Sequence, residues 1–281
     1  MRLLVLGGSG MLGHKLVEIA SQSIETFATV REGSGERVVS GVDATDFDSV
    51  AAVIESVQPH AVVNCIGIVK QSLAAKDAAA CLTVNALFPH KLFQLCEKKG
   101  IRLVHISTDC VFDGRRGGYR EFDLTNATDL YGRTKALGEL EGALTIRTSI
   151  IGRELSTKNG LVEWFLSKAG GTVQGFTHAK FNGVTTAELS RTILHVLNEH
   201  PDLRGIVHVT SEPIDKFSLL HLLNDSFGTS TKIVPDERVW VDRTLDGELF
   251  RSLTGYTAPT WQEMIDELAS DTTLVKERMH A

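Results

Sequence analysis

The chain opens Arg2-Leu3-Leu4-Val5-Leu6-Gly7-Gly8-Ser9-Gly10-Met11-Leu12-Gly13, and the reading of this stretch decides the fold. A strand-length apolar run passes without a linker into glycines, after which apolar residues recur at Leu12, Leu16, Ile19 and Ala20 with helical spacing. Strand, Gly-rich turn and helix in this order are what a dinucleotide-binding loop requires. The glycines let a pyrophosphate approach the backbone, and the helix N-terminus supplies unpaired amides to it. Two frames fit: Gly8, Gly10 and Gly13 give G-x-G-x-x-G, whereas Gly7, Gly10 and Gly13 give G-x-x-G-x-x-G. The glycines alone do not choose between them, and a merely tight connection is the plain alternative.

Outward from this unit, strand-like and helix-like patterns alternate. Strands are expected at 26–30, 61–66, 103–106 and 144–148, and helices at 47–57 and over a long run that stops at Lys98-Lys99-Gly100. A basic last turn followed by glycine is a helix stop. A Gly-, Arg- and Asp-rich loop over 113–129 leads into a helix carrying Tyr131 and Lys135. This alternation predicts an α/β fold, a doubly wound parallel sheet of the Rossmann type with right-handed crossovers and the ligand at the carboxyl ends of the strands. Residues 1–152 are expected to form the dinucleotide-binding domain. A smaller C-terminal substrate-binding lobe is expected over 153–281, with roughly 185–210 returning to pack on the first domain. Helices are read at 185–197, 218–227 and 261–269, and a strand at 206–209.

With 281 residues, 42% hydrophobic and 23% charged, the chain has the composition of a soluble protein with a large core. A net charge of −6 offers no basic footprint, so neither nucleic acid nor a membrane surface is an expected partner. The N-terminal apolar run leads into a glycine turn instead of a cleavage site, which predicts a cytoplasmic location. Cys65, Cys81, Cys96 and Cys110 lack C-x-x-C spacing and read as reduced, buried thiols. The ten histidines show no metal-ligand spacing, and no metal is expected.

Tyr131 and Lys135 stand four residues apart in Tyr131-Gly132-Arg133-Thr134-Lys135. On a helix they share one face, about 6 Å apart along the axis. A phenol is a poor acid at neutral pH, and a cation held close lowers its pKa, which makes proton transfer feasible. The same spacing is common on ordinary helix surfaces, so the pair gains weight only in company. That company is Ser107-Thr108-Asp109 at a predicted strand end, on the same edge of the sheet as the glycine turn.

Three separated motifs coincide: the glycine turn, Ser107-Thr108-Asp109-Cys110-Val111-Phe112-Asp113-Gly114, and Tyr131-Gly132-Arg133-Thr134-Lys135-Ala136-Leu137-Gly138-Glu139. Together they resemble the dTDP-4-dehydrorhamnose reductase family of the extended short-chain dehydrogenase/reductase superfamily. Arg147-Thr148-Ser149 and Asp242-Arg243-Thr244-Leu245-Asp246 are similar to later segments of that family. The resemblance implies NADPH-dependent reduction of the 4-keto group of a nucleotide-activated 4-keto-6-deoxyhexose. It assigns Tyr131 as proton donor, Lys135 as its tuner and a contact to the nicotinamide ribose, and Thr108 as a hydrogen-bond donor to the carbonyl oxygen. Carried over residue by residue, Gly7, Gly10, Met11, Leu12 and Gly13 serve the pyrophosphate. Asp43 and Ala44 lie near the adenine, and Cys65, Ile66 and Gly67 stand at the third strand end. Asp109, Trp164, Asn182 and Arg243 are candidate substrate contacts, with packing as the alternative for Trp164 and solvation of a loop for Asp43.

Arg31 and Glu32 follow the second strand side by side. An acid there suits the ribose hydroxyl of NAD, an arginine the 2′-phosphate of NADP. Arg31 is the favoured reading, which makes NADPH the expected cofactor and NADH the alternative. Two departures from the family pattern predict a different sugar pocket. Ile150 replaces a tryptophan after Arg147-Thr148-Ser149, and Ile68-Val69-Lys70-Gln71-Ser72 replaces an acidic stretch. The family's metal-bridged contact is therefore not implied, although a homodimer remains a candidate assembly. Lys70 is a candidate phosphate contact or a solvated lysine. Two competing functions keep the same fold: a nucleotide-sugar epimerase with tightly bound NAD, and a non-catalytic regulatory subunit.

Overall fold

Seven strands form one parallel sheet in the computed structural model, which describes residues 1–155 and 158–271. In chain order the first half runs β1 (Arg2–Leu6), α1 (Met11–Ala20), β2 (Glu25–Thr29), β3 (Val38–Val39), α2 (Phe47–Val57) and β4 (Ala61–Asn64). It continues through α3 (Ala78–Cys81), α4 (Phe88–Lys99), β5 (Arg102–Ile106), α5 (Leu130–Leu137) and β6 (Leu144–Arg147). Then come β7 (Ile150–Ile151), α6 (Leu161–Leu166), β8 (Thr172–Phe181), β9 (Val184–Thr185), α7 (Thr186–Glu199) and β10 (Gly205–His208). The chain closes with β11 (Ile214–Asp215), α8 (Lys216–Phe227), β12 (Lys232–Asp242), α9 (Glu248–Thr254) and α10 (Trp261–Ser270).

The large sheet has the order β10-β6-β5-β4-β1-β2-β3, the doubly wound arrangement expected from the alternating pattern. Its register aligns the carboxyl ends, with Leu6 opposite both Thr29 and Asn64, and Asn64 opposite His105. Because side chains alternate along a strand, β1 feeds two cores. Leu3 and Val5 pack with Leu12 and Leu16 of α1 and with α7, while Leu4 and Leu6 pack with Val50, Val53 and Ile54 of α2 and with Phe88 and Leu92 of α4. All four β1 leucine and valine side chains are fully buried, and burial of each contributes about 1.5–3 kcal/mol. β10 lies beside β6 in this same sheet, and α7, which precedes it, packs on α1.

Three departures from the sequence expectation have physical causes. The strand expected over 61–66 stops at Asn64, whose Oδ1 accepts the amide of Ile66 at 3.1 Å and turns the chain. The long helix ending at Lys99 is interrupted by a π-helical turn over Leu82–Leu87, which leaves the apolar pattern intact to the eye. The third is a separate three-stranded sheet, β11-β8-β12, in which β8 and β12 run parallel with a bulge between Asp236 and Trp240. One side of this sheet is covered by α8, and Asp236, Glu237 and Arg238 break any apolar alternation along β12.

Candidate active site

The glycine turn is built by its own sterics. Gly7 has φ +85°, a left-handed conformation that suits glycine. A Cβ on Gly13 would stand 2.1 Å from the Gly7 carbonyl oxygen, so α1 can begin against the end of β1 only without a side chain there. Gly10 sits at the N-cap of α1, and no side chain caps the helix. The amides of Met11 and Leu12 in its first turn therefore face the strand end ready for an anion. Gly7, Gly10 and Gly13 are thus the frame the geometry uses, while Gly8 packs against Ala28 of β2. These features fit a dinucleotide pyrophosphate. Arg31 is exposed just past β2, close enough that its charge helps lower the pKa of Asp43, although hydrogen bonds from Thr45 do more. Asp43 Oδ1 accepts from the Thr45 amide at 2.8 Å and hydroxyl at 2.7 Å, which closes a turn around the buried Ala44.

Past β4, Cys65, Ile66 and Gly67 form the turn at the next strand end. Asn85, in the π-helical turn, holds it from both sides: Oδ1 accepts the Ile68 amide at 2.8 Å and Nδ2 donates to the Ile68 carbonyl at 3.0 Å. The Asn85 carbonyl presses on Gly138, where a Cβ would stand 1.9 Å away. At its other end α5 leans on the turn after β5, since a Cβ on Gly132 would stand 2.2 Å from the Cys110 carbonyl oxygen. Asp129 caps the helix through the Gly132 amide at 2.9 Å, and Lys70 donates to Asp129 at 2.9 Å. Two glycines and one cap thereby set α5, with Tyr131 and Lys135, against the end of β5.

There the three expected residues converge. Lys135 Nζ donates to the Ile106 carbonyl at 2.7 Å, and Thr108 stands near enough to the Tyr131 phenol to oppose the rise in its pKa. Thr108 Oγ1 also donates to Asp109 Oδ1 at 3.0 Å and accepts the Cys110 amide at 3.1 Å. Burial pushes the phenol above its ordinary pKa; Cys110 adds to this and Thr108 opposes it. Lys135 is pushed down to about 8, chiefly by burial, with Glu139 and Cys65 acting the other way. The expected direction for Tyr131 is reversed here, because desolvation, with Cys110, Asp109 and Asp129 acting the same way, outweighs the lowering by Thr108. The phenol is a neutral acid that keeps its proton until a stronger base forms beside it.

Of the remaining candidates, Arg243 reaches the site. Its Nε donates to the Phe112 carbonyl at 3.2 Å, and its charge favours the ionised form of the buried Asp109, whose pKa burial raises. Asn182 is turned elsewhere: Nδ2 donates to the Leu245 carbonyl at 2.7 Å and Oδ1 accepts the Leu245 amide at 2.8 Å, a buried clamp instead of a substrate contact. Trp164 is half-buried on α6, its ring lying 4.7 Å from the Lys216 ammonium, the packing role held as its alternative. Sequence reasoning missed Asn85 as a clamp and a buried ionic group behind the site. Arg147 Nε and Nη2 each donate to the Glu139 carboxylate at 2.7 Å, and Ser107 Oγ donates to Glu139 at 2.7 Å. Glu139 lies in the quoted motif, so its place was visible though its partners were not. The four cysteines are free. Among the described residues no His, Cys, Asp or Glu group could hold a metal, and no helix is long and apolar enough to cross a membrane.

A glycine cradle at the end of β1 and a Thr-Tyr-Lys set at the end of β5, on one edge of a doubly wound sheet, define an extended short-chain dehydrogenase/reductase fold. The chain belongs to the family described as the RmlD substrate binding domain, whose model matches residues 1–235. It is 38% identical over 143 residues to the dTDP-4-keto-6-deoxy-D-glucose reductase of Streptomyces niveus, an alignment covering 49% of this chain and 46% of that protein. The match thus spans about half the length of that relative. A probable dTDP-4,6-dihydroxy-2-methyloxan-3-one 4-ketoreductase of Streptomyces antibioticus is 32% identical over 222 residues, 75% of this chain and 72% of that one. Methionine adenosyltransferase 2 subunit beta of Danio rerio is 28% identical over 250 residues, 83% and 76% of the two chains. The crystal structure of dTDP-4-dehydrorhamnose reductase from Bacillus anthracis in complex with NADP shares the fold, with TM-score 0.82 and 21% identity over 95% of this chain and 98% of that one.

Proposed function

We propose that the protein is an NADPH-dependent oxidoreductase that reduces the 4-keto group of a nucleotide-activated 4-keto-6-deoxyhexose. The observation that carries this reading is the convergence of Thr108, Tyr131 and the Lys135–Ile106 anchor at the strand edge that also carries the glycine cradle. The relatives named as dTDP-sugar reductases support the substrate class.

In this reading a bound reduced nicotinamide supplies the hydride. Met11 and Leu12 offer amides to its pyrophosphate and Arg31 offers a cation to the 2′-phosphate that distinguishes NADPH. Tyr131 and Thr108 hold the keto oxygen. As negative charge develops there, Tyr131 OH passes its proton to that oxygen, which favours the product because the phenolate left behind is a weaker base than an alkoxide. Lys135, four residues after Tyr131 on α5 and fixed on Ile106, is the cation assigned to stabilise the phenolate left behind. Asp109 and Arg243, whose charges interact, are the sugar contacts in this reading, and Arg243 directly follows β12 of the three-stranded sheet.

Purified protein mixed with NADPH and dTDP-4-keto-6-deoxy-sugars should lose absorbance at the nicotinamide band and yield the corresponding alcohol. A second reading, a regulatory subunit of the same fold, is favoured by the alignment with methionine adenosyltransferase 2 subunit beta. It predicts no turnover with any keto sugar together with co-purification of a second enzyme, so the same assay separates the two.

A further inference from the structure

Lys216 opens α8 and is half-buried, with its ammonium between two rings: 4.7 Å from the centre of Trp164 on α6 and 5.2 Å from that of Phe176 on β8. Among the described residues no carboxylate, carbonyl or hydroxyl accepts from it, and burial acts on its charge with no anion to offset it. The neighbouring carboxylate is turned away, since Asp215 accepts the Ser218 amide and hydroxyl, each at 2.8 Å, and caps its own helix. Aromatic faces attract a cation but do not satisfy its three donors as oxygen acceptors do. The cage thus holds a strong donor in place and leaves it without an acceptor, where desolvation makes an unused donor costly.

The three-stranded sheet places this cage relative to the active site. Asp215 of β11 pairs with Lys180 of β8, and the Arg243 amide donates to the Lys180 carbonyl at 3.0 Å, so Lys216 and Arg243 leave the sheet on either side of β8. β11 is antiparallel to β8, so the chain at Lys216 heads back along β8. Its ammonium meets Phe176, four residues or about 13 Å before Lys180. Arg243 Nε in turn donates to the carbonyl of Phe112, four residues beyond Thr108. Contacts therefore run from Thr108 through Phe112 and Arg243 across β8 to the cage, the order in which an extended nucleotide sugar presents its sugar, its diphosphate and its base.

We infer that Lys216 reads the base of the nucleotide sugar, donating to a ring carbonyl and so favouring uracil or thymine over cytosine, with Trp164 and Phe176 holding its ammonium in place. The inference rests on the proposed nucleotide-sugar reading for its ligand, and it assigns the nucleotide series which that reading leaves open. Uracil and thymine carry a carbonyl acceptor at the ring position where cytosine carries an amino donor. An ammonium only donates, so it pairs with the first and is left unpaired against the second.

The test is calorimetric binding of UDP, dTDP and CDP to the full chain, with NADP in excess to fill the glycine cradle. It is run on wild type, K216M and K216Q, each checked for folding by its thermal melt. Methionine fills the cage without a donor, and glutamine offers both a donor and an acceptor, so either removes the discrimination. Wild type is expected to bind UDP and dTDP about tenfold more tightly than CDP, near the low end for a hydrogen bond to a charged group. Both variants should bring the three ligands within about twofold of one another by losing affinity for UDP and dTDP. Equal affinity of wild type for UDP and CDP overturns the inference, as does failure to bind any of the three or a preference that survives in either folded variant. If UDP binds with this preference but no keto sugar is reduced, the ketoreductase reading fails and Lys216 keeps its role. If keto sugars are reduced without the preference, the inference fails and the ketoreductase reading stands.

Discussion

Lys135 donates to the main-chain carbonyl of Ile106 at 2.7 Å, so the cation of α5 is pinned to the last residue of the strand that delivers Thr108. The bond fixes position but adds no charge, and burial brings the lysine down to about 8. Activity that needs the ammonium should therefore fall as pH rises through about 8.

Stability should move the opposite way over the same range. A lysine at about 8 when folded and 10.5 when unfolded binds fewer protons in the native state between those values, so its burial penalty fades as pH rises. Above about 9 the thiols of Cys65, Cys96 and Cys110, each pushed up to about 12 by burial, work against this because the unfolded chain ionises first. Between pH 8 and 9 the lysine contribution stands out. Urea midpoints for wild type should rise there relative to those of Lys135→Met; parallel profiles would show that the lysine is not depressed.

Gly13→Ala places a methyl group 2.1 Å from the Gly7 carbonyl oxygen. Backbone cannot yield cheaply at that spot, and overpacking of this kind costs about 1–3 kcal/mol. The shift should also widen the cradle at Met11 and Leu12. Calorimetry is expected to show lower stability together with NADPH affinity weakened by at least about tenfold, roughly 1.4 kcal/mol.

Arg147→Met leaves the Glu139 carboxylate, 6% exposed, without its bidentate partner. Removing one member of a buried pair costs about 3–5 kcal/mol, whereas replacing both by apolar or neutral groups is often close to neutral. E139Q/R147M should therefore be more stable than R147M in urea denaturation. Additive losses would mean that the pair is not coupled.

Arg31→Ala should discriminate between cofactors. Arg31 is exposed beside Asp43 past β2, and the proposed contact is to the 2′-phosphate alone. The variant should raise KM for NADPH by about tenfold and leave that for NADH within about twofold, on the order of 1.4 kcal/mol of selectivity. Equal changes for both cofactors would remove Arg31 from the site.

The parts of the fold legible in the sequence are those whose chemistry is local. The run Leu3–Leu6 and the glycines after it needed no distant partner to be read, and strands buried on both faces, such as β4, announce themselves as unbroken apolar runs. β8 and β12 escaped because a sheet covered on one side and crossed by Asp236 and Arg238 carries no such run. The break at Leu82–Leu87 escaped because a π-turn adds one residue to a helix without changing its apolar character. At the site, Tyr131 and Lys135 were visible as a pair four residues apart, and the roles of Thr108, Tyr131 and Lys135 came from the resemblance of their motifs to the family. Asn182 was misplaced because its partner, Leu245, lies 63 residues away, and the direction of the Tyr131 shift was missed because spacing shows charge but not burial.

The most direct test of the whole account is anaerobic single-turnover reduction of a dTDP-4-keto-6-deoxyhexose by the protein preloaded with NADPH, comparing wild type with Tyr131→Phe. The account predicts one nicotinamide oxidised per site in wild type, a rate about 10²–10⁴ lower in the variant, and equal NADPH affinity in both. Equal rates in the two proteins, or no oxidation by wild type with dTDP-, UDP- or GDP-linked keto sugars, would contradict it.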